Sequence, residues 1–263
     1  MNSSSEAPFP QLRAAYLRAI ARSWQDPAYE KKLVDAVDLP RGALDLLEQD
    51  FGFHFPFAVR FDIDVQKRPR WEPTTTRGWV GYEDEFTIHL PQSPAKVADR
   101  AAILARYLQE FPTLLGNPTR NSGAGAGDAG GPSEVNAASG LSCAGAEVPS
   151  SFAEFGVITG RVLALAWTDE AFAERLFDAS DARVLIQDVL DYMVPWNFQL
   201  RFRLVEEPAR DDDAYWKNFP RNRILVHLPK LPHTPCDVDD VALQPIALAA
   251  YNDTGDQYPF TCG

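Results

Sequence analysis

The sequence predicts an α+β fold, built as two tandem copies of a small helix-helix-strand-strand domain that a flexible linker joins. The first observation behind this prediction is a long repeat: residues 24–36 return as residues 167–179, at an offset of 143, with six identical positions. Residues 59–61 also match residues 200–202 at an offset of 141, and a third repeat has an offset of 138. Falling offsets are typical of a duplicated domain whose loops have lost a few residues.

Helical periodicity and a start signal place the helices of the first copy. Apolar residues recur at helical spacing over residues 11–22, and a further helical segment covers residues 41–49. Asp26 followed by Pro27 indicates a helix start, because the carboxylate can cap free backbone amides and the proline ring fixes a helical φ. Residues 95–115 predict one more helix in this copy.

Two strands follow from alternation and from proline stops. Residues 57–65 alternate apolar with polar residues, which is typical of a strand with one buried face. Residues 77–90 end in a second strand, which Pro91 and Pro94 stop. The third repeat lies here, since residues 87–94 match residues 225–232.

Composition divides the chain into five segments, of which the linker is rich in Gly, Ala, Ser and Pro. They are a disordered N-terminus (1–10), a first domain (11–115), the linker (116–150), a second domain (151–235) and a flexible C-terminal tail (236–263). The linker would let the two copies dock or move independently. Because duplicated domains keep apolar faces in common, we expect the copies to pack as an intramolecular pseudo-dimer.

The charge balance narrows the classes of partner. A formal net charge of −12 argues against nucleic acid and against an anionic membrane, since both need a concentrated positive field. A basic or mixed-charge protein partner fits better. No apolar run approaches the roughly 20 residues that span a bilayer, and the N-terminus has no signal-peptide pattern. With three widely spaced cysteines, which fit a reducing compartment, the sequence predicts a soluble cytoplasmic protein.

Four repeated residues are candidates for docking a partner: Trp24, Trp167, Arg60 and Arg201. Each tryptophan precedes a capping aspartate, so each is also explained as a hydrophobic staple that packs on the first helical turn. The two arginines lie on strands that match between the copies. The sequence therefore leaves open whether these residues bind a partner or only hold the fold.

Metal binding has weak support in the sequence. His89 and His227 occupy equivalent strand positions, but neither has a second ligand at a suitable spacing. His233 and Cys236 are three residues apart and provide half a site at best. We therefore predict no metal, no cofactor and no catalytic residues in this chain.

The C-terminal tail contains the candidates for chemical modification. Cys262 is next to the last residue, between Thr261 and Gly263, so its thiol is sterically accessible to a partner enzyme. An ordinary frayed terminus is the alternative explanation.

Two motifs recur in both copies, a Trp-x-Asp start of a helix and an (Ile/Val)-His-Leu-Pro segment at the end of a strand. The segments that carry these motifs resemble the nitrile hydratase alpha-subunit and thiocyanate hydrolase gamma-subunit fold. They also resemble the nitrile-hydratase-like leader peptides (NHLP) of ribosomally made, post-translationally modified natural products (RiPPs). The resemblance rests on a Trp-x-Asp-(Pro/Glu)-Ala-(Tyr/Phe) helix start and an (Ile/Val)-His-Leu-Pro-x-x-Pro ending, and it covers about residues 24–94 and 167–232. In the hydratases a Cys-x-x-Cys-Ser-Cys loop holds iron or cobalt. That loop is missing here, so the chain is not expected to be an enzyme.

The resemblance implies a ribosomally synthesised precursor. Its folded domains would recruit a tailoring enzyme that modifies the tail, which is the candidate core peptide, and a protease or an exporter is the further partner. Extended from Cys236, the tail would reach roughly 90 Å at about 3.3 Å per residue. The alternative is a catalytically inactive, nitrile-hydratase-like module that binds or scaffolds protein partners. A metal enzyme that uses His233 and Cys236 is the third hypothesis.

Overall fold

The structure is a computed structural model that describes residues 8–73, 75, 78–111, 113–116, 150–196, 198–233 and 240–252, with only the backbone of residues 150, 151 and 240. Within that part of the chain, both repeats have the same order of elements: three helices, a strand, an insertion, a second strand and a final helix. Repeat 1 consists of α1 (Pro8–Gln25), α2 (Pro27–Asp35), α3 (Ala43–Phe51), β1 (Arg60–Asp64), a hairpin insertion of β2 (Arg70–Trp71) and β3 (Trp79–Val80), β4 (Glu85–Gln92) and α4 (Arg100–Glu110), with short 3-10 turns at Ala36–Asp38 and Val97–Asp99. Repeat 2 consists of α5 (Ser150–Ala166), α6 (Glu170–Asp178), α7 (Arg183–Leu190), β5 (Gln199–Pro208), an insertion helix α8 (Asp213–Asn218), β6 (Arg223–His227) and α9 (Asp240–Asn252).

Aspartates cap the second helix of both repeats, as the repeated motif predicts. A side-chain oxygen of Asp26 accepts hydrogen bonds from the amides of Ala28 and Tyr29, at 2.9 and 3.2 Å. In repeat 2 the side chain of Asp169 accepts from the amide of Phe172 at 3.0 Å. These bonds satisfy amides that the first helical turn leaves without partners. The predicted helix start is confirmed.

One sheet contains strands from both repeats, in the order β1-β6-β4-β5. β1 pairs in parallel with β6, and β5 pairs in parallel with β4, while β4 and β6 run antiparallel at the centre. The first strand of each repeat therefore pairs with the second strand of the other repeat. The two copies form one folded unit, so of the two arrangements that the linker allows, docked or independently moving, the structure shows the docked one, in line with the expected pseudo-dimer.

The final helices are exchanged in the same way. α9 of repeat 2 packs on α1 and β3 of repeat 1, and α4 of repeat 1 packs on α5 of repeat 2. We call lobe 1 the group of α1, α2, α3, β1, β6 and α9, and lobe 2 the group of α5, α6, α7, β5, β4 and α4. Each lobe thus takes four elements from one repeat and its last strand and helix from the other.

A single hydrophobic core joins the two lobes. Phe9 and Phe152, which are equivalent residues at the offset of 143, stack on each other with ring centroids 5.5 Å apart. Phe152 also lies 4.6 Å from the ring of Trp196. Contact between two equivalent residues is expected at an approximate two-fold axis, because an isologous contact places the same surface on both sides.

Strand pairing corrects one of the sequence matches. Phe61 lies opposite Ile224 in the β1/β6 ladder, and Leu200 lies opposite Phe86 in the β5/β4 ladder. Phe86 and Ile224 are equivalent at the offset of 138, so Phe61 is equivalent to Leu200, at an offset of 139. The sequence match of residues 59–61 with 200–202 was therefore wrong by two residues. Arg60 and Arg201 are not equivalent positions.

The predicted content of each copy also needs correction. Three helices precede the strands where the predicted arrangement counted two, and a further helix follows them in both repeats. Residues 240–252, predicted as part of a flexible tail from residue 236, form α9, in which Ala247 and Tyr251 are buried. This helix is the counterpart of α4. Residues 1–7 and most of the predicted linker lie outside the described residues.

Candidate functional site

The two repeated tryptophans join the repeats. The indole nitrogen of Trp24 donates a hydrogen bond to the carbonyl of Pro229 at 3.1 Å, and that of Trp167 donates to the carbonyl of Pro91 at 3.0 Å. Pro91 and Pro229 are equivalent residues, so each repeat donates one such bond to the other. A Trp N–H in a buried setting needs an acceptor, and these carbonyls provide it. Trp24 and Trp167 are thus part of the contact between the repeats.

The two arginine candidates lie in ion pairs within the fold. Arg60 pairs with Asp62 at 2.9 Å and donates to the carbonyl of Leu39 at 3.2 Å. Arg201 pairs with Glu85 at 2.7 Å, across the β5/β4 ladder. Both guanidinium groups are already occupied by contacts inside the chain. A role of these arginines in docking stays a prediction without direct support from their geometry.

The equivalent histidines lie at another exchanged contact. The backbone amide of His227 donates to Asp84 at 2.7 Å, and the amide of His89 donates to the side-chain oxygen of Asn222 at 2.9 Å. Asp84 and Asn222 are equivalent, so each repeat again supplies the acceptor for the other. The ring of His227 also lies 3.2 Å from Asp84. Burial lowers the pKa of His89. The side chains of Asp84 and Asn222 therefore connect the strands of the two repeats.

Among the described residues, no group of three or more His, Cys, Asp or Glu side chains is arranged to hold a metal ion. His233 is exposed. Cys236, its partner in the weak metal-site hypothesis, lies outside the described residues. That pair therefore stays without a structural test.

The described structure ends with α9, which precedes the C-terminal segment that carries Thr261 and Cys262. Tyr251 is buried against the rings of Tyr16, Trp79 and Tyr82, at centroid distances of 6.4, 5.7 and 5.9 Å. A guanidinium nitrogen of Arg13 donates to the carbonyl of Asn252 at 2.6 Å. The indole of Trp79 donates to the carbonyl of Ala247 at 2.8 Å. These contacts fix the point from which the tail extends.

The segment between the described structure and Cys262 is shorter than the predicted tail. The described structure continues to Asn252, and Cys262 is ten residues further along the chain. Ten residues span at most about 35 Å when fully extended. The predicted reach of roughly 90 Å, which started from Cys236, is therefore too long. Thr261 and Cys262 themselves lie outside the described residues.

A cleft of about 270 Å³ is present in lobe 2 beside Trp167. Its walls come from α5, α6 and the ends of β4 and β5, and its lining is mostly apolar. Glu170 and Glu174 stand at its rim and are exposed. The side-chain oxygen of Gln92, which also lines the cleft, is buried and accepts no hydrogen bond within the described part of the chain.

A family comparison explains the repeat. A model of the ribosomal natural product, two-chain TOMM family matches the chain twice, over residues 7–115 and 150–259. The chain belongs to this family. Each of the two matches covers one repeat, so the predicted duplication is confirmed. No curated protein and no solved structure matches the chain.

Membership of this natural product family supports the broader part of the sequence-based hypothesis. A precursor of a modified natural product needs an enzyme that modifies it, which is the class of partner that the sequence predicts. The closer resemblance to NHLP leaders and to nitrile hydratase stays a prediction. Within the described residues, no helix is long and apolar enough to cross a membrane.

Sequence reasoning missed the exchange of strands and the cleft in lobe 2. The sequence did contain one signal of the exchange, the repeated His-Leu-Pro motif, because the carbonyl of its proline accepts the hydrogen bond from the repeated tryptophan. The repetition of both motifs indicates that the tryptophan and the proline have a role in each copy. It does not show that the partner belongs to the other copy.

Proposed function

We propose that the chain is a precursor in which both repeats together form the recognition domain for a tailoring enzyme, and in which the C-terminal segment with Thr261 and Cys262 is modified. The observation that supports this most is the position of the tail. The family match ends at residue 259 and the last described helix ends at Asn252, so Cys262 follows the folded domain closely. In this proposal the protein is the substrate, and the chemistry belongs to a cytoplasmic partner enzyme.

A short tail on a fixed exit point favours modification by a docked enzyme. Docking makes the second encounter intramolecular, so the effective concentration of the thiol at the active site is high. The tail allows about 35 Å between Asn252 and the active site. An enzyme bound anywhere beyond that distance could not reach Cys262.

We propose cyclisation as the modification, although the residue types alone allow oxidation of the thiol as well. The sulfur of Cys262 attacks the carbonyl carbon of Thr261, and a C–S bond closes a five-membered ring as the thiol proton is lost. The enzyme transfers a phosphoryl group from a nucleoside triphosphate to the former carbonyl oxygen, the C–O bond breaks with phosphate as the leaving group, and loss of the Cys262 amide proton leaves a C=N bond in the ring. Cyclisation lowers the peptide mass by one water molecule, whereas oxidation of the thiol by a metal-dependent enzyme would raise the mass.

The family match gives a second segment the same position in the chain. Residues 116–149 follow repeat 1 as the tail follows repeat 2, and they contain Ser142 and Cys143. They also contain the pair Gly130-Gly131, which is the type of site at which a protease cleaves leader peptides in the NHLP family that the sequence resembles. We therefore include Cys143 among the candidate modification sites.

Tandem mass spectrometry of protein from its native cells tests the proposal. We expect a mass change that maps to residues 260–263 or 116–149, and its loss in the Cys262→Ser variant if Cys262 is the modified residue. Unchanged peptides from both segments, in cells that express the whole gene neighbourhood, would contradict the proposal. An unchanged modified mass in Cys262→Ser would contradict the assignment to Cys262 alone.

Deletion of residues 253–263 separates this proposal from the scaffold alternative. A precursor without its tail yields no product from that segment. A scaffold without the tail would still support the activity of its partners on other substrates.

A further inference from the structure

The cleft beside Trp167 has a counterpart in lobe 1 that the chain itself covers. After β1, the chain turns back over α2, where Arg68 forms an ion pair with Glu30. The next residue, Pro69, is buried, and its carbonyl accepts a hydrogen bond from the amide of Lys230 at 2.9 Å. Trp24 is covered on the same side by Trp79, whose ring stacks on it at 6.2 Å.

Among the described residues, lobe 2 has no such covering segment, because its strand takes another course. β5 does not end where β1 does; it continues along β4 to Pro208, which lies opposite Gln92. The amide of Ala209 then donates to the carbonyl of Gln92 at 3.3 Å. The chain therefore continues along β4 after β5, and within the described part of the chain no segment equivalent to residues 65–69 crosses α6. Among the described residues, Trp167 stacks on no other aromatic ring.

The open cleft offers an apolar wall, a charged rim and a buried acceptor. Trp167, Phe177 and Leu204 form apolar parts of the lining, and Leu204 is 39% exposed. Glu170 and Glu174 take the positions that Pro27 and Lys31 have in lobe 1, so lobe 2 has two carboxylates there, whereas Ala173 replaces Glu30, the partner of Arg68 in lobe 1. Neither Glu170 nor Glu174 forms an ion pair within the described part of the chain. Gln92, whose side-chain oxygen is buried and accepts no hydrogen bond within the described part of the chain, also lines the cleft.

The volume of the cleft limits the occupant. About 270 Å³ is below the roughly 300 to 1,000 Å³ that is typical of small-molecule sites. It suits one or two side chains of an extended peptide. In lobe 1, that kind of occupant is an extended segment with an arginine and a proline.

We propose that the cleft lined by Trp167, Phe177 and Leu204 docks an extended, basic segment of the tailoring enzyme, with an apolar side chain in the cleft and an arginine or lysine against Glu170 and Glu174. This inference rests on the proposed function, since it names how the enzyme recognises the precursor. The net charge of −12 favours a basic partner in the same direction. Lobe 1 cannot dock the same segment, because its own chain occupies that place.

A peptide from lobe 1 is the direct probe. A fluorescent peptide with the sequence of residues 65–71, Val-Gln-Lys-Arg-Pro-Arg-Trp, is titrated into the full-length protein and followed by anisotropy. We expect saturable binding that weakens at least tenfold in the double variant Glu170→Lys, Glu174→Lys. The matched control, Asp188→Lys with Glu206→Lys, changes the charge equally at exposed sites outside the cleft and should bind within twofold of wild type.

Several outcomes would overturn the proposal. These are no binding to wild type, equal weakening in the cleft variant and its control, or tighter binding after deletion of residues 253–263, which would show the chain's own tail in the cleft. Ala173→Trp is a second variant that fills the cleft without a change of charge, and it should also weaken binding. Thermal melting confirms that each variant is folded.

Modification in native cells separates this inference from the proposed function. If the tail of the wild-type protein is modified, we expect at least fivefold less tail modification in the Glu170→Lys, Glu174→Lys variant. The control variant should be modified to the same extent as wild type. Equal modification of both variants would overturn the docking site and leave the proposed function standing. An unmodified wild-type tail, together with unmodified residues 116–149, would overturn the proposed function itself.

Discussion

At the scale of single residues, the two tryptophans that resemble binding platforms are explained by their hydrogen bonds across the repeats. Replacing Trp24 or Trp167 with phenylalanine keeps an aromatic ring but removes the indole donor, and the carbonyl of Pro229 or Pro91 loses its partner. We expect each variant to lower the free energy of unfolding by about 1 to 2 kcal/mol in urea titrations. A Trp24→Phe variant of unchanged stability but reduced modification would instead favour the docking role.

His89 should make part of the stability depend on pH. Burial lowers its pKa from the ordinary value of 6.5, so the unfolded chain binds more protons than the folded chain just below that value. Stability is therefore present above about pH 6.5 and is lost as the pH falls through the folded pKa. We expect His89→Gln to lose less stability than wild type between about pH 7 and pH 5. The same slope of unfolding free energy against pH in both proteins would contradict this.

At the scale of elements, the exchanged final helices should contribute equally to stability. Tyr107 of α4 and Tyr251 of α9 are both buried, and each packs on aromatic rings outside its own helix. Truncation of either to alanine should cost about 3 kcal/mol, which is typical for loss of a buried aromatic ring. Chemical unfolding of both variants provides the comparison. A Tyr251→Ala variant as stable as wild type would mean that α9 belongs to the flexible tail after all.

Sequence reasoning located most elements, because helix starts and periodicity are local properties. Asp26 and Asp169 cap helices as predicted, and the strand at residues 60–64 lies inside the predicted segment 57–65. The match of Arg60 with Arg201 failed for a physical reason. A shift of one residue exchanges the two faces of a strand, but a shift of two keeps every apolar residue on the same face. Periodicity therefore could not detect the error.

The α9 helix was missed because its sequence signal is weak. Pro245 lies inside it, and its apolar residues follow a segment rich in aspartate, which favours a flexible tail. Its counterpart α4 has no such interruption and was predicted. The family match to residue 259 and the buried Tyr251 both place this region in repeat 2. The segment that we propose to be modified therefore starts after α9.

At the scale of the whole molecule, the repeats cannot be separated into two complete domains. Each lobe lacks a strand and a helix unless the other repeat supplies them. A half without these elements would expose the edge of its sheet and the core residues that face the missing helix. The sequence could not show this exchange, since hydrophobic patterns state that a face is buried but not which copy covers it.

Splitting the chain in the linker tests most directly whether both repeats form one recognition unit. In native cells, the gene would be replaced by two genes that encode residues 1–131 and 132–263, and the tail would be followed by mass spectrometry. We predict that the two halves purify together and that the tail is modified, whereas residues 132–263 alone stay unmodified. Modification of residues 132–263 alone, at the level of the intact chain, would contradict the interlocked recognition unit.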